Sequence, residues 1–416
     1  MTRIVIITRA FPWLPGEQFV EPEAPFWERD DAEVIVMPWK MEGEPRPLPA
    51  SVRTDDCIAR ISPAQRRRAR LAAVRTGLFW REIGWLARHK RLNRATAQEC
   101  VRAVGGALAH RDALASWIER NGPIDVVYTY WWDVWTYGAQ LLKGKGVGHV
   151  VSRAHRYDLY EDRHPSGYLG LKRQLGPQLD AQLAISVDGR AAVIEQYGLP
   201  ESIVRLSPLG VEVPERGAAT SSAGELRLMS TALMNPVKRI DRMVDAVAEL
   251  ARQHPELQVH WTHFGGGAQY DEFTARTREL TDGPQALANL HVDLPGNVAN
   301  TTIREHLAQA PVDLFVNTSE SEGVPVSIME AMAFGVPVLA PAVGGIGDIV
   351  PAGGAGGQLL SPAPDGQEVA QALWAWHERC KLADQRAAAR AVVEHNYDQA
   401  KNFSSLMDSL VRLGGQ

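Results

Sequence analysis

Short apolar runs recur along the chain, separated by polar loops and by stretches of helical period. The runs at 4–7, 33–37, 124–128, 148–152, 183–187, 226–230, 259–264, 314–316 and 336–340 are near-continuous in Val, Ile, Leu and Phe. Such runs read as strands buried on both faces, the pattern of parallel sheets. Between them, 239–250 and 326–334 repeat at helical spacing, the second with Ile328, Met329 and Met332 on one side. Gly335 is placed to end that helix in the left-handed conformation. Residues 367–414 read as helices. Strand and helix in alternation predict an α/β chain of doubly wound, Rossmann-like parallel sheets. At 416 residues it exceeds what one core usually supports, so two domains are expected.

The chemistry concentrates in 313–350, a strand–loop–helix–strand unit. Glu322 lies in its loop, beyond the carboxyl end of the strand, where open parallel sheets bind ligands. Glu330 lies on the helix that follows. Between them the amides of Gly323, Val324 and Val326 are donors at a helix N-terminus, an anion site, and Pro325 costs nothing in a first turn. This pattern suits an extended anionic ligand with hydroxyls at both ends. Glu322 would take hydroxyls near the reacting end and Glu330 a diol further out, as a ribose presents. The bland reading makes both residues solvated surface acids.

Other loops after strands carry candidates. The first holds Gly16 and Glu17 in a Pro/Gly-rich segment. Tyr130-Trp131-Trp132-Asp133 is either a cover on the core or a binding platform. His155 follows the 148–152 strand, Lys238 precedes a helix, and Gly266, Gly267 and Gly296 sit in turns where a backbone can approach a ligand. The glycines from 353 to 357 form a flexible loop but not a P-loop, since no Gly-Lys-Ser/Thr follows.

Glu322-x7-Glu330 followed by Ala-Met-Ala-Phe-Gly-Val-Pro-Val resembles the donor-site motif of the family-4 glycosyltransferases, which have the two-domain GT-B fold. The segment Phe11-Pro12 to Gly16-Glu17-Gln18-Phe19 and Ser152-Arg-Ala-His155 to Asp158-Leu-Tyr160 resemble its exopolysaccharide branch. The resemblance implies two Rossmann-like domains facing a cleft, at 1–205 (acceptor side) and 206–395 (nucleotide-sugar side), with a C-terminal helix, 396–416, crossing back to the first. It implies a retaining, metal-independent transfer from a nucleoside-diphosphate-sugar, a substrate and not a cofactor, to a saccharide or lipid-linked saccharide. His155, Lys238 and Glu322 would be catalytic. Gly266, Gly267, Gly296, Gly323, Val324, Val326 and Glu330 would bind the donor, and Gly16 and Glu17 would face the acceptor. One departure stands out: Leu233 occupies the place of a family arginine on the diphosphate, a charge Arg239 would have to supply. The rival readings are a nucleotide-sugar epimerase of the same fold and a non-catalytic nucleotide-sugar-binding subunit.

Charge adds one feature. Residues 66–94 carry ten Lys/Arg and one acid, Glu82, leaving the rest of the chain at −14 (−5 less +9). With Phe79, Trp80 and Trp85 nearby, this reads as a basic amphipathic helix or helix pair able to dock on an anionic membrane surface. An acidic remainder without a binding motif argues against nucleic acid. No run is long enough to span a bilayer, the first residues read as a strand and not a signal peptide, and three scattered cysteines give no zinc or disulfide pattern. A cytoplasmic protein, peripheral on the inner face of the membrane, is expected.

Overall fold

The central strands Thr2–Thr8, Ala32–Pro38, Ile124–Thr129, Leu314–Val316 and Val338–Pro341 are largely buried on both faces, and the fold follows from covering each sheet twice over. The structure, a computed structural model, describes residues 1–14, 16–350 and 354–415, without the side chain of Arg163. Its chain divides into two compact units, 1–209 with 400–416, and 210–399.

In the first unit the strands are β1 (Thr2–Thr8), β2 (Ala32–Pro38), β3 (Arg53–Thr54), β4 (Ile124–Thr129), β5 (Val147–Ala154), β6 (Ala181–Ala184) and β7 (Val204–Leu206). Among the described residues they form a parallel sheet in the order β3-β2-β1-β4-β5-β6-β7. The order reverses direction between β1 and β4, which is where a doubly wound sheet opens a crevice beyond its carboxyl edge. One face is covered by helices Pro63–Ala73, Gly77–Arg88 and Arg94–Asn121, packed on Val5, Ile7, Ile35 and Val127. The other receives Leu406, Met407 and Leu410 of helix Gln399–Gly414, against Ile4, Ile6, Val36 and Val126, and the buried Phe403 of the same helix meets Phe26 with ring centroids 5.8 Å apart.

The second unit holds β8 (Glu225–Thr231), β9 (Gln258–Phe264), β10 (Leu290–Gly296), β11 (Leu314–Val316), β12 (Val338–Pro341) and β13 (Gly357–Leu360), ordered β10-β9-β8-β11-β12-β13. Its reversal lies between β8 and β11. Val244, Val247, Val369 and Leu373 pack on Leu226, Val259, Leu314 and Leu339 from helices Ile240–Gln253 and Gly366–Trp376.

Four details depart from the sequence reading. The run at 183–187 splits: β6 ends at Ala184, and Ser186 caps helix Val187–Tyr197 by accepting Gly189 N–H, a hydroxyl cap outweighing an apolar run. The segment after Gly353, itself outside the described residues, is not all loop, because β13 pairs with β12 from Gly357. Residues 66–94 do form a helix pair, but Glu82 is buried, accepting from Tyr168 Oη and from Leu171 N–H at 3.2 Å, so the acid belongs to the core. Helix Arg94–Asn121 was not anticipated; its Gly105-Gly106 pair reads as a break, yet serves close packing. A Cβ on Gly105 would lie 2.8 Å from Arg70 Cα, and one on Gly106 2.7 Å from a Val134 methyl.

Phe403→Ala should destabilise the first unit by about 3–5 kcal/mol, the usual cost of emptying a buried aromatic site. Denaturant unfolding followed by tryptophan fluorescence checks this. A change below about 1 kcal/mol would mean that the C-terminal helix does not complete the core.

Candidate functional site

In the second unit the loops after β8 and β11, neighbours at the sheet reversal, are tied together. The segment after β8 turns on Asn235, whose side chain accepts the N–H groups of Val237 and Lys238 at 3.1 and 3.2 Å. Glu320 N–H then donates to Val237 O at 2.9 Å, and Thr318 Oγ1 to Arg239 O at 2.9 Å. This register brings Lys238 Nζ to 2.7 Å from Glu322 Oε1, which also accepts from Asn317 Nδ2 at 3.1 Å. Two residues picked from different sequence motifs thus form one ion pair.

Beyond Glu322, the amides of Gly323, Val324 and Val326 make no backbone hydrogen bond among the described residues, and they lead into helix Val326–Ala333. Gly335 follows it at φ 72°, the left-handed stop the sequence indicates. Glu330, on that helix, is buried and accepts from Asn300 Nδ2 at 2.9 Å. Burial raises its carboxyl above the usual range, against the opposing pull of Asn300 and Arg304.

The glycine turn serves a different purpose from the one its sequence suggests. Gly265 and Gly267 have φ near 142°, and a Cβ on them would meet Ala232 O at 1.9 Å and Met234 O at 2.6 Å. Met234 N–H donates to Gly266 O at 2.7 Å, Gly266 N–H to Asn297 Oδ1 at 2.8 Å, and Gly265 N–H to Gly296 O at 2.9 Å. The close approach is to the chain itself. Gly266, Gly267 and Gly296 hold the 232–238 segment in place. Leu233, at its crest, is 57 % exposed. The guanidinium of Arg239 pairs with Asp241 and Glu320.

The first unit carries its own cluster at the carboxyl edge of β1, β4 and β5. Glu17, at φ 47°, is buried and takes four donors: the N–H groups of Arg9, Ala10 and Phe11, and Trp131 Nε1 at 2.5 Å. Its carboxylate is spent on shaping the loop and orienting Trp131. Gly16 beside it has open space around its Cα. His155 caps the short helix Arg156–Leu159 and stands among Phe19, Tyr130 and Trp131, with ring centroids 6.0, 5.0 and 4.6 Å away. Both its ring nitrogens are buried without a hydrogen-bond partner among the described residues. Burial, with Arg153 beside it, drives its pKa well below the usual histidine value.

Sequence reasoning missed what supports these residues. Arg153 and Glu23 form a fully buried pair at 2.6 Å under Tyr130. Asp158 accepts the N–H groups of Trp132 and His155, each at 2.6 Å. Arg153 and Asp158 stand inside the motif from Ser152 to Tyr160, and Glu23 in none, but nothing in the spacing tells an anchor from a ligand.

Residues 225–378 match the family described as "Glycosyl transferases group 1". A protein of Escherichia coli strain K12 named as a colanic acid biosynthesis glycosyltransferase is 27 % identical over 65 % of this chain and 68 % of its own length. An amylovoran biosynthesis glycosyltransferase of Erwinia amylovora is 26 % identical over 66 % and 65 %. The chain therefore spans about two thirds of these relatives. Among solved structures, a lipopolysaccharide outer core galactosyltransferase superposes at TM-score 0.65 and 16 % identity over 98 % of this chain and 99 % of that one. An Anabaena protein in complex with UDP gives 0.62 and 16 % over 99 % and 100 %. At that identity the likeness speaks to fold.

His155 stays neutral in the native state and charges in the unfolded chain, which therefore binds more protons below the ordinary histidine pKa of about 6.5. Stability contributed by this site is present above that pH and lost as acid is added. His155→Phe keeps the ring contacts, so it should lose less stability than the parent between pH 8 and pH 5, measured by denaturant unfolding at both. An equal loss would count against the buried neutral imidazole.

Proposed function

We propose that this chain, a glycosyltransferase of the GT-B fold with a group 1 transferase domain at 225–378, moves a sugar from a nucleoside diphosphate to a saccharide hydroxyl during surface or exopolysaccharide synthesis. The observation that carries the reading is the Lys238–Glu322 pair at 2.7 Å, set against unsatisfied amides at a helix N-terminus with the buried carboxyl of Glu330 on the same helix.

In this reading the diphosphate lies on the amides of Gly323, Val324 and Val326, with Lys238 on the leaving oxygens as charge develops there. Glu322 binds hydroxyls of the transferring sugar, and Glu330 the ribose diol. The bond from the anomeric carbon to the diphosphate oxygen breaks, and one to the acceptor oxygen forms on the same face. The acceptor's proton passes to the departing diphosphate, so configuration is retained. His155, neutral and unpartnered, offers a hydrogen bond to the sugar, and the Gly16–Glu17 loop faces the acceptor. Relatives named for colanic acid and amylovoran synthesis, and neighbours holding UDP, support the donor and acceptor classes.

Glu330→Gln should weaken binding of the nucleoside diphosphate about tenfold, because an ionised carboxylate accepts diol hydroxyls far better than an amide. Glu322→Gln should instead cut turnover with little change in that affinity, its contacts being with the moving sugar. Calorimetry with UDP and GDP, paired with transfer assays, separates the two. Equal effects of both substitutions on nucleotide affinity would sink the assignment. Turnover of the donor without an acceptor would redirect it to an epimerase.

No helix among the described residues is long and apolar enough to cross a membrane. A peripheral contact through the basic helix pair fits a lipid-linked acceptor. Leu71 and Trp80 are 66 % and 61 % exposed, beside the exposed Arg67, Arg68 and Arg75. Each basic residue at an anionic surface contributes about 1 kcal/mol. Replacing those three arginines by Ser should weaken sedimentation with anionic vesicles about a hundredfold. Equal binding to neutral vesicles would refute this docking.

A further inference from the structure

A cavity of about 230 Å³ opens in the first unit at the sheet reversal between β1 and β4. Its walls come from the loops after β1, β2 and β4, from helices Pro63–Ala73 and Arg94–Asn121, and from the short helices Val134–Gln140 and Arg156–Leu159, and all lie within that unit. Trp39, Trp131 and Trp135 give it aromatic faces, and Arg9, Arg66, Arg70 and Arg102 line it with charge. Its volume falls below the usual range for drug-sized ligands, about 300–1,000 Å³, and suits one sugar ring.

The charge is not balanced from within. Arg102 is paired with Glu99 at 2.7 Å and lies 3.8 Å from Asp133, whose carboxylate also caps Val134 N–H. Asp158, at the cavity edge, spends its oxygens on two backbone N–H groups. Burial pushes its carboxyl up to about 7, against the pull of Lys172. Arg9, Arg66 and Arg70 are left without an ion-pair partner among the described residues. Arg66 lies over the Trp39 ring, its guanidinium carbon 5.3 Å from the centroid, and its Nε is buried with no acceptor. Arg70 is fixed from behind, where Gly105 lets the two helix backbones touch.

One further group faces the cavity. His110 is 4 % exposed, and its Nδ1 stands 2.8 Å from Gly106 O, so that nitrogen carries the proton. Burial holds the ring neutral, with a pKa of about 4. Nε2 is therefore a bare acceptor, buried and unpartnered. Among the described residues the cavity thus has a buried donor without an acceptor and a buried acceptor without a donor, demands the protein leaves unmet, and the exposed guanidinium groups of Arg9 and Arg70 add positive charge at its rim.

We propose that this cavity binds one sugar residue bearing an oxyanion, a carboxylate or a phosphate, on the acceptor. Arg66 and Arg70 receive the anion, His110 Nε2 accepts from a ring hydroxyl, and the indoles cover the apolar face of the ring. Assigning this sugar to the acceptor rests on the transferase reading; the binding itself does not. The loop that Glu17 shapes carries Arg9 to the same cavity and orients Trp131 over it. A neutral sugar would leave the cavity's unpaired guanidinium groups without a counter-charge, so the site also selects against neutral acceptors.

The test is a tryptophan-fluorescence titration of the full chain with glucuronate, glucose 6-phosphate, glucose and inorganic phosphate. At least one anionic sugar should saturate, about tenfold or more tightly than glucose, the value of one charge-assisted hydrogen bond. Arg66→Gln, and separately the exposed Arg70→Gln, should remove that advantage and leave the weak response to glucose unchanged. Preference for glucuronate identifies a carboxylate sugar; preference for glucose 6-phosphate identifies a phosphorylated one, and either supports the proposal. Glucose binding as well as both, inorganic phosphate binding as well as glucose 6-phosphate, affinities indifferent to both substitutions, or no saturation by any probe would each overturn it. Turnover takes no part in this readout. A chain that binds the anionic sugars but transfers nothing keeps the site and loses the transferase reading; one that transfers only to neutral acceptors does the reverse.

Discussion

Buried carboxylates that accept backbone amides hold this molecule's working loops. Parallel strands end with unsatisfied N–H groups, and the loops that leave them must find acceptors or stay wet. Glu17 takes three consecutive amides and an indole. Asp158 takes the amides of Trp132 and His155, which come from different loops. In the second unit the same device fastens the opposite edge of the sheet: Asp313, at the amino end of β11, takes the amides of Ser221 and Arg227 and the Ser221 hydroxyl at 2.6 Å. A carboxylate with several N–H donors is strongly held and hard to replace, since its loss leaves more than one buried donor unmet. The loops are consequently held where they leave the sheet.

Whether a contact is local decides what the sequence reveals. Strands and the Glu322–Glu330 unit were legible because periodicity and turn chemistry are local properties, and helix Val326–Ala333 with its Gly335 stop falls where expected. The Lys238–Glu322 pair was legible only as two motifs, since 84 residues separate them and the contact depends on how β8 and β11 pair. The strand expected at 183–187 failed because a serine cap competed with apolar continuity. Glu17 and the glycines at 265–267 were found but read outward. Their type and spacing are the same whether they serve a ligand or the chain's own backbone, and only packing separates the cases. Helix Arg94–Asn121 and the cavity under it were invisible. Its glycines lower helix propensity, and the arginines that matter come from a different helix.

The basic segment shows how composition can point to the right residues for more than one reason. Ten positive charges in a short stretch look uniform in sequence. In the fold, the half-buried Arg66 and the exposed Arg70 line the cavity, while Arg67 and Arg68 are exposed away from it and Glu82 is internal. One helix face thus answers to a ligand and another to solvent or a surface. Net charge alone could not make that separation, because helical phase assigns neighbouring residues to opposite sides.

The contact between Gly265 and Ala232 O has an evolutionary consequence. With 1.9 Å left for any side-chain carbon there, the glycine turn and the segment after β8 can change shape only together. Backbone drift in this part of the second unit is closed off, while the side chain at 233 projects into open space and carries no packing duty. Variation is channelled into one position that can gain or lose a charge without disturbing its neighbours. Leucine at 233 is then a change the scaffold tolerates freely, and one that further descent could reverse in a single step.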